Sequence, residues 1–575
     1  MKTRDVFIKL MNYIGKYRFL LLVSILLAFA TVALTLYVPI LFGQAIDGII
    51  AAGKVDFGLV SGVLTKILII VLICSALTWI MNLINNRLTY RIGQDIRNKA
   101  IEHMQVLPLK YLDGHTIGDI TDRIIADVDM ICDGLLLGFT QLFSGVVTIV
   151  LTLVFMFSKS VHISLFVIAL TPLSFFVAKF IAKHSYGMVS KQTASRGQLT
   201  GLTEEMVGSE TVVKAFSHGK AASEDFRKIN NELYDYTWRA TFYSSLTNPS
   251  TRAVNSVIYA GVALFGAWLI IGGTLSVGGL SVLLNYANQY MKPFNDISSV
   301  VTELQNAFAC AARVFEFIEA EPETKDAPGQ LPAVKGQIDI NEVFFAYDPA
   351  KPLIGHFNLH AKSGQSIAIV GPTGCGKTTF INLLMRFYDI DSGSICIDGT
   401  NIYDVTRASL RSSFGMVLQE TWLQNGTVRD NIAFGKPEAA DEEIIQAAKE
   451  AHSWEFIRRL PQGLDTVLKD DSLSAGQKQL LCITRVMLYD PPMLILDEAT
   501  SSIDTRTEME IQRAFDKLMQ GRTSFVVAHR LSTIRNADII LVMKDGHIIE
   551  QGNHETLMAK NGFYTKLYNS QFAKV

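Results

Sequence analysis

The feature that most constrains the fold is a run from Phe19 to Gln44 in which no residue is charged. A helix rises about 1.5 Å per residue, so roughly 20 apolar residues cross the hydrocarbon core of a bilayer, which is about 30 Å thick. The run is therefore long enough to span a membrane. One such run could also be a buried helix of a soluble protein, so the number of runs decides between the two.

Further apolar runs follow, and two of them carry a lysine: Lys66 lies inside the second run and Lys292 near the end of the last. Hydrophobic residues make up 49% of the chain and charged residues 18%, and the apolar residues are concentrated before residue 320. A soluble core does not account for such a succession, so the sequence predicts a multi-pass integral membrane protein. The six predicted spans are 19–44, 59–84, 136–158, 161–183, 253–273 and 277–294.

The distribution of Lys and Arg predicts the orientation, because these residues are enriched in cytoplasmic loops. They are frequent before the first predicted span and in the connection after the second, whereas the loop 45–58 contains only Lys54. We therefore expect both termini and the connections 85–135 and 184–250 to face the cytoplasm. The N-terminus shows no short apolar region followed by a small-residue cleavage site, so no cleavable signal peptide is predicted.

The two cytoplasmic connections are helical in pattern and too long to be simple turns. We expect the membrane helices to continue into the cytoplasm and to turn around short elements within 111–129 and 204–216. A segment rich in Pro and Gly then marks a linker. The predicted domains are a membrane domain at 1–320, the linker at 321–336 and a second domain at 337–575.

The second domain contains a phosphate-binding motif. The buried-strand pattern "SIAIV" leads into "GPTGCGKT" at 371–378, which fits G-x-x-x-x-G-K-[ST] in full. In this motif backbone N–H groups surround the phosphates, Lys377 reaches the outer phosphates and the Thr378 hydroxyl binds Mg²⁺. Alone, the motif leaves kinases, GTPases, motors and transporters open. Cys375 lies beside a helix N-terminus and Lys377, so it is either a reactive thiolate or a small filler residue.

The segment "MLILDE" at 493–498 narrows the choice. Its apolar residues predict a buried parallel strand. Asp497 at the end of that strand suits the Mg²⁺ shell, and Glu498 directly after it suits a base that polarises the attacking water.

Further motifs follow in a fixed order, and together they resemble the ATP-binding cassette (ABC) transporter family, more narrowly an exporter-type half-transporter. The motifs are "VFFAY" at 343–347, "VLQET" at 417–421, "LSAGQKQ" at 473–479, "SSID" at 501–504 and "VVAHRLST" at 526–533. The resemblance implies a six-helix α transmembrane domain followed by an α/β P-loop NTPase domain with an α-helical signature subdomain. It also implies ATP hydrolysis coupled to transport, with ATP and Mg²⁺ as cofactors, in the inner membrane of a bacterium.

The resemblance assigns roles by position in these motifs. The catalytic residues it implies are Glu498, His529 and Gln419, with Thr378, Gln419 and Asp497 around Mg²⁺. The ATP contacts it implies are Tyr347, which stacks on adenine, and Gly371, Pro372, Thr373, Gly374, Cys375, Gly376, Lys377, Thr378 and Thr379. The residues it places against the partner are Ser474, Ala475, Gly476 and Gln477 of the signature and Asp504 of the dimer-contact loop. The coupling residues it implies lie in short transverse helices and are His115, Gly118, Asp119, Thr211 and Phe216.

Two features depart from the family pattern. Ala475 stands where Gly is commonest in the signature, and the segment "VLKDDS" before the signature is shorter than usual and lacks glycine. The chain has one cassette, so it must pair with a second half-transporter. The pattern resembles the glutamate-bearing subunit of bacterial heterodimeric multidrug exporters. A homodimer stays possible, because every catalytic residue is present.

The substrate is less constrained. The predicted spans carry few ionisable residues, so a proton relay has no obvious carriers. Exporter-type architecture implies efflux of drugs, lipids or peptides, although a minority of similar proteins import. The alternatives from another class are an ATP-gated channel and a regulatory ATP-binding subunit.

A net charge of -2 gives no basic field for nucleic acid, and the scattered cysteines predict free thiols. Polar and aromatic residues of the last two spans either bond neighbouring helices or line a substrate path; they are Asn255, Tyr259, Asn285, Tyr286, Asn288, Gln289 and Tyr290.

Overall fold

The computed structural model describes residues 3–51, 54–419, 421–469, 472–497, 504–527 and 531–572. The chain divides into two compact units. The membrane unit comprises Met1–Val106 and His115–Glu321, and the cassette unit comprises Leu107–Gly114 and Pro322–Val575. A short piece of the first long connection therefore belongs with the second half of the chain.

Long helices dominate the chain before residue 320. A π-helical turn at Gly138–Leu142 joins two of them, and a small antiparallel hairpin, β1 (Ile49–Ala51) with β2 (Lys54–Val55), follows the first long helix. The helices are α1 (Thr3–Gly15), α2 (Arg18–Asp47), α3 (Phe57–Met104), α4 (Leu109–Asp113), α5 (Ile117–Ile124), α6 (Ala126–Leu137), α7 (Phe143–Lys159), α8 (Val161–Gly208), α9 (Glu210–Ala215), α10 (Gly219–Ile271) and α11 (Val277–Ile318).

Four helical stretches among the described residues are long and apolar enough to cross a membrane: Arg18–Asp47, Phe57–Met104, Ile117–Lys159 and Gly219–Ile271. A shorter apolar stretch, Val161–Leu173, begins α8. These stretches contain the first, second and third predicted spans and all but the last two residues of the fifth. The fourth and sixth spans stay predictions, and so does the total of six.

The membrane helices are held together by apolar packing and by a few buried polar contacts. Buried side chains of α2, α7, α8, α10 and α11 form one cluster, in which the Tyr286 hydroxyl donates to the carbonyl oxygen of Leu36 at 2.7 Å. Asp47, at the end of α2, accepts from the Gly278 N–H and the Ser276 hydroxyl, both at 2.8 Å. Gly43 and Gly278 let the two backbones approach, because a Cβ on Gly278 would lie 2.1 Å from the Gly43 oxygen.

Several helices run well past the predicted spans. α3 continues to Met104 and α8 to Gly208, and α10 begins at Gly219. The chain turns around short helices in both long connections, namely α4 with α5 in the first and α9 in the second. α4 belongs to the cassette unit, where Leu109 packs against the core.

The cassette unit contains two sheets and a helical part. Its strands are β3 (Ile338–Phe345), β4 (Ile354–Ala361), β5 (Ser366–Val370), β6 (Ser392–Ile397), β7 (Thr400–Asn401), β8 (Phe414–Val417), β9 (Met493–Asp497), β10 (Thr523–Val527), β11 (Ile539–Lys544) and β12 (His547–Gly552). Its helices after residue 322 are α12 (Lys377–Leu384), α13 (Arg407–Ser412), α14 (Val428–Ile432), α15 (Asp441–Glu450), α16 (Trp454–Ile457), α17 (Ala475–Tyr489), α18 (Thr505–Met519), α19 (Leu531–Arg535), α20 (His554–Ala559) and α21 (Phe563–Phe572).

The larger sheet positions the phosphate loop and the strand ends that precede the expected catalytic residues. Its strand order is β12-β11-β5-β10-β9-β8, with parallel pairing everywhere except at β12. Val527 of β10 pairs with Ile369 of β5 on one side and with Asp497 of β9 on the other, so these three strands end at one edge. The smaller antiparallel sheet has the order β4-β3-β6-β7, and helices α14 to α17 pack around a separate apolar core.

A buried arginine fastens the segment that joins the two units. The guanidinium of Arg407 donates to the Asp326 carboxylate at 2.5 Å, to the Thr324 carbonyl oxygen at 2.6 Å and to the Thr324 hydroxyl at 2.7 Å. Although burial opposes ionisation of Asp326, the hydrogen bonds from Arg407 hold the pKa of this carboxyl below its usual value of 3.8. The clamp is therefore fully formed above pH 3.8 and is lost as the pH falls through the lower pKa of the folded protein.

We expect Arg407→Ala to release this segment, because the variant loses the hydrogen bonds from the guanidinium to Asp326 and Thr324, and a hydrogen bond to a charged group contributes about 1.5–3 kcal/mol. Trypsin should then cleave after the exposed Lys325 at least tenfold faster, roughly what 1.4 kcal/mol of local opening provides. Arg458→Ala is the matched control, since Arg458 forms an exposed pair with Glu455. Equal cleavage rates in the two variants would contradict the clamp.

Candidate functional site

The phosphate loop connects β5 to α12 at the common edge of the sheet. Gly374 (φ 83°) and Gly376 (φ 101°) adopt left-handed backbone conformations, which glycine tolerates best. Gly371 has no room for a side chain, because a Cβ there would lie 2.2 Å from the Met543 oxygen. The loop therefore presents bare backbone N–H groups at the start of a helix, the arrangement that binds phosphate.

The polar side chains of the loop suit the outer phosphates and a cation. Lys377 donates from Nζ to the carbonyl oxygens of Gly371 and Pro372 at 2.8 and 3.0 Å, which folds the ammonium over the loop. Pro372, Thr373, Gly374 and Thr378 are exposed, so the hydroxyl of Thr378 is accessible. The loop thus offers the groups that bind the phosphates of a nucleoside triphosphate.

Cys375 lies on the buried side of this loop. It is 3% exposed and packs in the core of the cassette unit. Burial raises the pKa of the thiol, and the opposing charge of Lys377 does not overcome that effect. The burial and the raised pKa favour the filler residue over a thiolate beside the helix N-terminus.

Tyr347 lies beside the loop and is 39% exposed. Its hydroxyl donates to the Thr379 hydroxyl at 3.3 Å. Its ring packs edge-to-face against Phe345 at 4.8 Å and against Tyr388 at 4.9 Å. One ring surface next to the phosphate loop thus stays available for a flat base.

The expected catalytic groups follow the ends of the central strands. Asp497 ends β9, and Gln419 is exposed just after β8, the neighbouring strand. Glu498 and His529 lie outside the described residues, although the described Asp497 and Val527 that precede them are paired. Among the described residues, no group of three or more His, Cys, Asp or Glu could hold a metal. Nucleotide-bound Mg²⁺ needs no such group, because phosphates and water supply most of its ligands.

The signature begins a helix. Ser474 caps α17 by accepting from the Gln477 N–H at 3.3 Å, and the Gln477 side chain accepts from the Ser474 N–H at 3.0 Å. Ser474 and Ala475 are exposed, whereas Gly476 is buried. Asp504 caps α18 through the Thr507 N–H at 3.0 Å, and that hydrogen bond lowers the pKa of its carboxyl.

The structure separates the expected coupling residues. His115, Gly118 and Asp119 belong to the membrane unit, where Asp119 pairs with Arg123 of its own helix and Arg313 of α11, both at 2.8 Å. The helix that joins the cassette unit lies just before them and ends at Asp113. In the second connection Thr211 lies on α9. Phe216, at the end of that helix, is 81% exposed.

Comparison with known proteins agrees with this geometry. Residues 21–294 match the model of the "ABC transporter transmembrane region", and residues 354–501 match that of the "ABC transporter" ATP-binding domain. The chain is also 40% identical to the "Fatty acid ABC transporter ATP-binding/permease protein" of Mycobacterium bovis over 92% of this chain and 84% of that protein.

The chain is an ABC transporter.

Two further relatives refine the class. The transporter is 35% identical to the "ATP-dependent lipid A-core flippase" of Syntrophus aciditrophicus over 88% of this chain and 85% of the relative. Its fold is similar to a bacterial Atm1-family ABC exporter solved with ATP bound, with a TM-score of 0.80 and 27% identity over 97% of this chain and 99% of that one. The predicted fold class is confirmed: an exporter-type transmembrane domain precedes an ATP-binding domain. This half-transporter binds ATP and couples its hydrolysis to transport in a bacterial membrane.

Sequence analysis missed two parts of the transporter. Tyr388 and Asp113 are bonded to each other, and Tyr388 also contacts the predicted adenine residue. Their letters appear in "NLLMRFYD" and "YLDGH", but no spacing rule links residues so far apart in the chain. The exposed aromatic pair Trp422 and Phe434 was also missed. Its signal was the unusual Trp three residues after Gln419.

We expect Cys375 of the transporter to resist N-ethylmaleimide at neutral pH, because its thiol is buried and its pKa is raised. Mass spectrometry of the phosphate-loop peptide should show slower labelling than at the partly exposed Cys396. In the Cys375→Ala variant, N-ethylmaleimide should label the remaining cysteines at the parental rate. Rapid labelling of Cys375 that MgATP prevents would contradict the assignment as filler.

Proposed function

We propose that the chain exports hydrophobic or amphipathic compounds as one half of a dimeric ABC transporter, with both termini and the long connections in the cytoplasm. The domain limits proposed from the sequence are 1–320 for the membrane domain and 337–575 for the cassette. The observation that carries the proposal is the exposed, Ser-capped signature helix α17 in the same chain as the phosphate loop. In the family, the signature helix of one chain completes the ATP site formed by the phosphate loop of its partner.

The expected chemistry divides between two chains. Lys377 would move from its own loop carbonyls to the outer phosphates, and the adenine would stack on Tyr347. The Ser474 hydroxyl and the N–H groups that open α17 would face the γ-phosphate held by the partner. ATP would therefore join the two cassettes, with Asp504 at their contact.

Hydrolysis needs a base, a water and a cation. Glu498 would take a proton from the attacking water, and His529 would stabilise the charge that develops on the γ-phosphate. Thr378, Gln419 and Asp497 would hold Mg²⁺, which neutralises phosphate charge. A purely regulatory site or an ATP-gated channel requires neither Glu498 nor His529, so these two residues favour a pump.

The surface next to Gln419 supports a crossed contact with the partner. Leu418, Trp422 and Phe434 are exposed there, and the Arg485 guanidinium lies 5.8 Å from the ring centre of Trp422 and 5.2 Å from that of Phe434. Large apolar side chains exposed in a group indicate an interaction site. We propose that the second short helix of the partner, which corresponds to α9 with Phe216, binds there.

The assembly is proposed as a heterodimer. The shortened segment before the signature would weaken the site that this signature completes, whereas Ala475 is a mild change. The phosphate loop, Glu498 and His529 of this chain would form the active site with the partner's signature. The alternative is a homodimer, because this chain carries every catalytic residue.

The membrane unit supports an apolar or amphipathic substrate. Tyr286 and Tyr290 are buried between helices, so they serve packing. Tyr259, Asn285 and Asn288 are exposed and are the candidates for a substrate wall. The names of the relatives point to fatty acids and lipids. The alternative is import, as in a minority of proteins with this architecture. The direction of transport would then be reversed, but the same residues would be the candidates for the substrate wall.

We expect Glu498→Gln to lower ATP turnover roughly 10²- to 10⁴-fold and to leave ATP binding intact, because only the base is lost. Steady-state ATPase and binding of a fluorescent ATP analogue by the purified complex measure the two effects. Glu555→Gln, on α20 near the end of the chain, is the matched control. Turnover that stays at the parental rate in Glu498→Gln would refute the assigned base.

We expect a benzophenone attached to Val212→Cys on α9 to cross-link to the other chain's cassette. Val212 is exposed, and the crossed arrangement brings it near the partner's surface beside the loop glutamine. Mass spectrometry of the product identifies the linked peptide. Asp235→Cys, exposed in α10, should give no such product. Links confined to one chain would refute the crossed arrangement.

A further inference from the structure

Tyr388 occupies a position that ATP hydrolysis alone does not explain. It is buried, and its hydroxyl donates to the carboxylate of Asp113. Its ring packs edge-to-face against Tyr347 with centroids 4.9 Å apart and an interplanar angle of 90°. Phe345 contacts both rings, at 4.8 Å from Tyr347 and 5.8 Å from Tyr388. The three rings form a rigid cluster with one exposed member, Tyr347.

Asp113 lies at the end of the short helix that leaves the membrane helices to join the cassette unit. α4 packs its Leu109 against the cassette core, and Leu107 is buried as well. The chain reaches α4 directly from α3, which ends at Met104. A displacement of α4 would therefore pull on α3 through very few residues.

We propose that Tyr388 is a positioning residue that connects the adenine position to the first long connection: its ring holds Tyr347, and its hydroxyl holds Asp113. The proposal rests on the proposed function only in taking Tyr347 as the residue that stacks on adenine.

Chemistry favours this hydrogen bond as a firm link. A phenol that donates to an ionised carboxylate forms a charge-assisted bond, which is stronger than a bond between neutral groups. Burial, followed by the contact with Asp113, raises the pKa of Tyr388, so the phenol keeps its proton at physiological pH. The remainder of Asp113 is exposed, so this carboxylate is bound by a specific partner on an otherwise open helix end.

The orientation of Tyr347 depends on the same cluster. Its hydroxyl is bonded to Thr379 on the phosphate-loop helix, while its ring edge meets Tyr388. A base stacked on the open face of Tyr347 would restrain the ring, and the ring would restrain Tyr388. Coupling between two sites is reciprocal, so a change at Asp113 must in turn alter nucleotide affinity.

The first test measures the affinity of the assembled full-length transporter for the probe TNP-ATP. All variants carry the Glu498→Gln substitution as well, so that nucleotide is not hydrolysed during the measurement. Tyr388→Leu removes the edge contact, and we expect its Kd to rise roughly three- to tenfold, the range of an edge-to-face aromatic pair. Tyr388→Phe keeps the ring, so its Kd should rise less than that of Tyr388→Leu. Tyr489→Phe is the matched control, because the Tyr489 hydroxyl donates to the Ser412 carbonyl oxygen at 3.0 Å, away from the three-ring cluster.

The second test follows α4 itself through maleimide labelling of Lys110→Cys, an exposed position on that helix. MgATP should change the labelling rate by about fivefold, the lower end of usual allosteric coupling. Tyr388→Phe and Asp113→Ala should each abolish that change, and the double variant should do no more, because both remove one bond. Asp113→Asn keeps an acceptor oxygen and should preserve the response, which a general loss of folding would not allow.

The outcomes separate this proposal from the proposed ATP site. If Tyr347→Ala weakens TNP-ATP binding but Tyr388→Leu does not, the positioning role is overturned and the ATP site stands. If Tyr347→Ala has no effect, the adenine assignment falls and this proposal falls with it. A labelling response to MgATP that persists in both Tyr388→Phe and Asp113→Ala would also overturn the link.

Discussion

The parallel pairing of β10 with β5 on one side and β9 on the other is the constraint on which the cassette depends. This register brings the phosphate loop, Asp497 and the strand end at Val527 to one edge of the sheet. These three strands are buried on both faces, so a shift of one residue would disturb the packing of their side chains on either side of the sheet. The site is thus fixed by the least polar part of the domain, while its chemistry lies in the loops that follow.

The membrane unit meets a different requirement. Lipid offers no hydrogen-bond partner, so each backbone group must be satisfied within a helix and each helix end needs a partner. Asp47 meets that need for α11 through Ser276 and Gly278. The clamp of Arg407 on Asp326 has a comparable role where the chain enters the cassette unit.

Short sequence patterns predicted those parts of the transporter that depend on residues close together in the chain. Charge-free runs identified spans, and the glycine pattern identified the phosphate loop. The pattern around Cys375 left the thiolate and the filler residue both open, since burial in a folded core is not visible in the sequence. The contact between Asp113 and Tyr388 joins distant segments, and only the folded chain brings them together.

The central claim is that one chain supplies only half of each ATP site. Native mass spectrometry of the Glu498→Gln transporter with trapped MgATP tests it most directly, because each chain of 63.6 kDa carries one cassette. The account predicts a particle with two cassettes, either two copies of this chain or one copy with a partner half-transporter. A particle with a single chain that traps ATP, and whose parent hydrolyses it at the full rate, would contradict the account.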